Sequence, residues 1–277
     1  MKRIRTYHDL EGEGGSEVVD QVVAQRRRLA ERLAEVRCLV AVASGKGGVG
    51  KSAVTANLAA ALARRGRRVG ALDADLNGPS LARMLGVSGA RIGDSGEGAV
   101  PPEGPAGVRV MSMELLQDEE DAPLSWTGPD ADRYLWQSSL ETGVLREFLS
   151  DVSWGDLDYL LVDLPPGTDK IARLLELVPS PDLFLLVTTP SEMSRFVVSK
   201  SVRMVRRAEP RAIGLVANMT EFVCPDCGSR TPLFPGEGDG ALAETSGLEI
   251  WGRIPFDPRL GGATDRGSPL PSGAAGT

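Results

Sequence analysis

An α/β fold, with a mostly parallel central sheet and helices on both faces, follows from three observations. Residues 38–43 (Cys-Leu-Val-Ala-Val-Ala) are continuously apolar, the pattern of a strand covered on both faces. Residues 53–63 are rich in Ala and Leu, as a packed helix is. Between them, Val42-Ala43-Ser44-Gly45-Lys46-Gly47-Gly48-Val49-Gly50-Lys51-Ser52 satisfies G-x-x-x-x-G-K-[ST] in the strand-then-helix setting that the motif needs.

That loop reads as a phosphate cradle. Its glycines let the backbone turn tightly enough for successive N–H groups to face an anion, and the helix N-terminus adds positive partial charge. The expected nucleotide-binding set is Gly45, Lys46, Gly47, Gly48, Val49, Gly50, Lys51, Ser52 and Ala53. Lys51 would neutralise the β- and γ-phosphates, and the Ser52 hydroxyl would ligate magnesium.

Lys46, just after the first glycine, narrows the motif further. From Gly45 to Ser52 the chain resembles the deviant-loop ATPases, the family that includes MinD, ParA, the nitrogenase iron protein and the Mrp/ApbC iron–sulfur carriers. The resemblance implies a three-layer P-loop NTPase. It also implies that Lys46 reaches across a dimer interface to the partner's nucleotide.

The remaining elements follow in order. Residues 1–15 mix charges with Gly12, Gly14 and Gly15 and are expected to be flexible, leaving His8, the only histidine, exposed and unused. Ser16 caps an expected helix to about residue 37, with Val18, Val22, Leu29, Leu33 and Val36 on one face. Residues 67–72 form a second strand that ends in Asp73-Ala74-Asp75, followed by a short helix to about residue 85. Carboxylates at strand ends face ligands in such sheets. The resemblance gives Asp75 the place near the γ-phosphate that orients a water; Asp73 reads as structural.

Residues 86–107 read as an extended surface connection, 108–113 as a strand and 134–149 as a helix, with an acidic loop at 117–122 and Trp126 in the core. Residues 154–163 are a strand delivering Asp163, expected to hold magnesium through water, to the loop Leu164-Pro165-Pro166-Gly167-Thr168. The Asp-x-Pro-Pro-Gly-Thr run narrows the resemblance to the Mrp/ApbC branch, over residues 39–269 or so. Two departures stand out. That family usually reads Pro-Pro-Gly-Thr-Gly-Asp where this chain has Asp169-Lys170 after Thr168, and Trp-Arg-Gly-Pro-Met where it has Trp126-Thr127-Gly128-Pro129-Asp130. Both make slow hydrolysis the expectation.

Residues 182–189 form another buried strand and 191–207 a helix; 212–217 lead to Asn218. The resemblance places Asn218 on the adenine edge and Pro255 against the same base. The run Asn218-Met219-Thr220-Glu221-Phe222-Val223-Cys224-Pro225-Asp226-Cys227-Gly228 puts Cys224 and Cys227 at C-x-x-C spacing in a turn. Two thiolates are half of a tetrahedral site. The third cysteine, Cys38, starts a buried strand, so a second chain is the economical source of the other two ligands, for a cluster or for zinc. In the Mrp/ApbC branch the matching run holds a [4Fe–4S] cluster in this way.

At 277 residues with 42% hydrophobic content, the chain suits one large domain: 1–37 a flexible N-terminus and docked helix, 38–260 the ATPase with a CxxC insertion near 218–236, and 261–277 a disordered tail. A net charge of −7 and a pI near 5.0 argue against a protein whose whole surface grips nucleic acid or anionic lipid, and leave room for a local basic patch. No apolar run approaches the about 20 residues that span a bilayer, and a cytoplasmic location is expected. The resulting reading is a homodimeric ATPase that uses ATP and magnesium and carries a [4Fe–4S] cluster to apo iron–sulfur proteins. A MinD- or ParA-like positioning ATPase and a zinc-stapled nucleotide-binding interaction protein are the alternatives.

Overall fold

The computed structural model describes residues 17–116, 133–224, 226–234 and 238–269. The readings of His8, Ser16, the 117–122 loop, Trp126 to Asp130, Pro225 and residues beyond 269 fall outside them. The strands are β1 (Leu39–Ala43), β2 (Val69–Asp73), β3 (Gly93–Asp94), β4 (Ala99–Val100), β5 (Val108–Met111), β6 (Tyr159–Asp163), β7 (Leu183–Thr188), β8 (Ala212–Val223), β9 (Arg230–Pro232) and β10 (Ile250–Phe256). The main sheet has the order β10-β8-β7-β1-β6-β2-β5, parallel throughout, with β9 added antiparallel to β8.

Period-two alternation splits the apolar strands between two cores. Leu39, Ala41 and Ala43 of β1 join Leu160, Val162, Phe184 and Leu186 under α1 (Glu17–Ala34), α4 (Arg133–Ser150), α5 (Thr168–Leu177), α6 (Glu192–Arg206) and α7 (Gly238–Ser246). Val40 and Val42 point the other way, with Val69, Ala71, Val108 and Val110, against α2 (Lys51–Arg64) and α3 (Leu81–Met84). Both faces of the sheet are therefore covered, which is why its strands read as unbroken apolar runs. Trp154 is completely buried, its indole N–H donating to the Phe148 carbonyl at 3.1 Å.

The structure departs from the sequence reading in four places. β8 does not stop at 217: Met219 adopts a left-handed φ of 57°, and residues 221–223 continue as one arm of a hairpin with β9. Residues 93–100 hold the β3–β4 hairpin within what reads as an extended connection. On α1, Leu29 is buried but Val22 is 38% exposed, so the apolar face narrows toward its start. The tail reading is corrected for residues 261–269, because α8 (Pro258–Asp265) occupies the first part of it. Asp257 caps α8 by accepting from the Arg259 N–H at 2.9 Å, Pro258 presets its first turn, and Ala263 and Thr264 are buried. Capping and burial outweigh the two helix-weakening glycines, Gly261 and Gly262.

The outer strand β10 lays Trp251 over β8 at Gly214, where an added β-carbon would collide with the indole ring atoms. Gly214→Ala is expected to lower the unfolding free energy by about 1–3 kcal/mol, the usual cost of overpacking. Chemical denaturation checks this, and the loss should shrink when Trp251→Ala is made in the same chain.

Candidate functional site

The loop from β1 to α2 sits at the carboxyl end of the sheet, flanked by the ends of β6 and β7. Gly50, immediately before α2, has φ 77°, a left-handed conformation that glycine enters freely, and a β-carbon there would collide with the Asn218 amide. Gly45 is fixed by contact instead: a side chain would run into Val197 of α6. The sequence places glycines where the loop is both turned and crowded.

Asp163, fully buried at the tip of β6, gathers the head of α2. Its Oδ1 lies 2.7 Å from the Lys51 ammonium and accepts from the Thr55 hydroxyl at 2.7 Å; its Oδ2 accepts from the Ser52 hydroxyl at 2.6 Å. Lys51 is only 7% exposed, so this is a desolvated ion pair, and removing either partner strands a charge at a cost of about 3–5 kcal/mol. Thr55 is absent from the sequence reading, yet it stands one helical turn after Lys51 and shares its face. The Ser52 hydroxyl and the Asp163 carboxylate are hard oxygen donors side by side, a donor set that fits magnesium.

Asp73, paired with Asp163 in register, does different work. Its Oδ1 accepts from the Asp75 N–H at 3.1 Å, and its Oδ2 from the N–H groups of Ser80 and Leu81 at 2.8 and 2.9 Å. It thereby shapes the segment 74–81. Burial, and then the neighbouring Asp163 charge, push its pKa up to about 7 against the pull of those donors. Asp75 is half-buried in that segment, its Oδ1 accepting from the Gly78 N–H at 3.2 Å.

The segment after β6 is stitched back to the phosphate loop: the Leu164 N–H donates to the Val42 carbonyl at 3.0 Å and the Gly167 N–H to the Ser44 carbonyl at 3.1 Å. Lys46 lies half-buried at the mouth of the loop and donates to the Ser191 hydroxyl at 3.3 Å. Asn218 is 7% exposed, its amide donating to the Val49 carbonyl at 2.8 Å, so β8 is bonded directly to the loop. Pro255 is half-buried on β10, next to Ile254, the register partner of Asn218. Gly47, Gly48, Lys51 and Ala53 complete the cluster of loop and helix residues, so the nucleotide set named from sequence gathers at one end of the sheet.

Cys224 and Cys227 sit in the turn between β8 and β9. The turn is closed by the Cys224 N–H on the Ser229 carbonyl and the Gly228 N–H on the Cys224 carbonyl, both 2.9 Å, and the Arg230–Glu221 ion pair braces the strands below. Cys227 is exposed and Cys224 half-exposed. Hydrogen bonding to the Ser229 side chain, then to its backbone and to Cys224, holds the Cys227 thiol below its ordinary pKa. Cys38 is buried at the other end of β1, beside Arg211, and its pKa is raised, first by burial and then by Asp182. Among the described residues no set of three or more Cys, His, Asp or Glu side chains is gathered to hold a metal ion.

With this geometry established, residues 35–275 match the family model described as ParA, the NUBPL iron-transfer P-loop NTPases. The chain belongs to that family. It is 40% identical over 255 residues to the iron-sulfur cluster carrier protein of Saccharolobus solfataricus, covering 91% of this chain and 82% of the relative. It is 42% identical over 233 residues to the cytosolic Fe-S cluster assembly factor NUBP2 of Bos taurus, with 82% of each chain covered. Among solved structures, an ADP-bound nucleotide-binding protein from Archaeoglobus fulgidus superposes with a TM-score of 0.73 at 37% identity, covering 87% of this chain and 91% of that one. The MinC:MinD complex of Aquifex aeolicus, at 24% identity and TM-score 0.56 with 84% and 87% covered, shares the fold. The P-loop NTPase architecture expected from sequence is thus the one observed. No described helix of this family member is long and apolar enough to cross a membrane.

The thiols give a direct check. Cys227 should be alkylated by iodoacetamide ahead of Cys38, with a pH midpoint below that of a free thiol, and Cys38 should react only after unfolding. Peptide mass spectrometry across a pH series reads both.

Proposed function

We propose that this chain is a homodimeric ATPase that carries a [4Fe–4S] cluster and releases it to apo iron–sulfur proteins. The observation that carries the reading is the β8 connection. One strand bonds to the phosphate loop through Asn218 and, past the bend at Met219, presents Cys224 and Cys227 at an exposed turn. Two thiols per chain supply half of a four-thiolate site, and a second copy supplies the rest. The names of the Saccharolobus solfataricus relative and of the eukaryotic relatives support the cargo, and those of the latter a cytosolic setting.

In this reading the γ-phosphate competes with Asp163 for Lys51. The ammonium swings from the carboxylate to the β- and γ-phosphates while the loop N–H groups and the start of α2 hold the remaining charge. Ser52, and Asp163 through water, would hold magnesium, which would neutralise phosphate charge. Asp75 orients the attacking water, and Lys46 leaves Ser191 to reach the partner's nucleotide. Asn218 and Pro255 bracket the base. Removing Lys51 from Asp163 loosens the end of β6 and the 164–168 segment, and the loop shift reaches the thiol hairpin through Asn218.

Lys51→Ala is expected to reduce ATP turnover by at least about 100-fold, the usual scale for losing a donor to developing charge. Thiol titration should still find Cys224 and Cys227 reactive. A steady-state phosphate-release assay tests this, and turnover within a few-fold of wild type would remove Lys51 from the mechanism.

A further inference from the structure

One side chain outside the site described above touches both the segment that carries Asp75 and the helix that follows the 164–168 segment. Glu141, on α4, is 12% exposed. Its Oε1 accepts from the Asn77 side-chain amide at 2.9 Å, two residues beyond Asp75 in the segment that follows β2. Its Oε2 takes the Lys170 ammonium at 3.0 Å and the Arg173 guanidinium, both on the first turns of α5, directly after Pro165-Pro166-Gly167. The carboxylate closes a narrow cleft lined by Ala74, Leu164 and Pro165, the residues just past the tips of β2 and β6.

The arrangement is built rather than incidental. Lys170 and Arg173 are each 20% exposed, so the charges meet where water screens them poorly, unlike an ordinary surface pair. Asp169, the other carboxylate near Lys170, is 3.6 Å away and 65% exposed, too solvated to take over. Each oxygen of Glu141 serves a different segment.

We propose that Glu141 is a positioning residue that ties the Asp75 segment to the segment after Asp163, so that the two respond to nucleotide as one unit. The inference rests on the nucleotide-switch reading and deepens it. Without the tie, the water-orienting Asp75 and the phosphate-sensing 164–168 segment reach their working positions independently, and turnover falls although the phosphate loop itself is untouched.

Hydrogen exchange of the full chain, with and without magnesium and a non-hydrolysable ATP analogue, tests this beside kcat and nucleotide Kd. In the wild type, peptides covering 74–80 and 164–173 should change their protection together. Glu141→Ala should uncouple them and lower kcat about tenfold while Kd stays near the wild-type value. Glu141→Gln keeps an acceptor for Asn77 but loses the charge that holds Lys170 and Arg173, so 74–80 should keep its wild-type change and that of 164–173 should be reduced. Lys170→Ala with Arg173→Ala should reproduce the Gln result and carries the test if Glu141→Ala fails to fold. A joint change in protection and unchanged kcat in these variants would overturn the coupling alone. A wild type that neither binds nor responds to nucleotide would overturn the proposed function and the coupling with it.

Discussion

The ion pair between Lys51 and Asp163 is the constraint on which the rest of the site depends. A lysine at the first position of a helix and an aspartate at the last position of a strand face each other with almost no solvent access, and two hydroxyls complete the carboxylate's shell. Such a pair is expensive to bury and costly to break from one side. A bound triphosphate offers Lys51 an alternative anion, so the same contact that closes the loop can release it. The pKa of the neighbouring Asp73 is raised first by its burial and then by the Asp163 charge, and its carboxylate binds backbone N–H groups instead of cations.

From that node the sheet distributes two kinds of consequence. Toward β2, through Asp73 and the 74–81 segment, it sets where Asp75 stands; toward β8, through the loop and Asn218, it meets the strand that carries the thiols. The left-handed residue at Met219 is what lets one strand do both, ending its parallel pairing with β7 and turning the next residues into a hairpin. Cys38 has no part in this, since it immediately precedes β1 at the far end of the sheet.

Much of this was legible in the sequence because the relevant signals are local. A glycine loop between an apolar run and an Ala-rich helix needs no tertiary information, and neither does an apolar run ending in Asp163. The family resemblance supplied the expected roles of Lys46, Asp75 and Asn218. Residues that matter through distant partners were not legible: Glu141 meets Asn77 and Lys170 only after folding brings α4 over the strand ends. Thr55 could have been found from its spacing to Lys51. The helix at Pro258–Asp265 was obscured by Gly261 and Gly262, whose cost is offset by a cap and by burial of Ala263 and Thr264.

The account joins a nucleotide switch to a shared thiol site, and the metal count tests that junction most directly. After anaerobic reconstitution with iron and sulfide, iron, sulfide and zinc would be measured alongside the light-scattering mass, for the wild type and for Cys224→Ala with Cys227→Ala. The account predicts about four irons and four sulfides per two chains, as four thiolates around one cluster require, and their loss in the variant. Zinc in place of iron, or a full iron complement retained without the two cysteines, would contradict it.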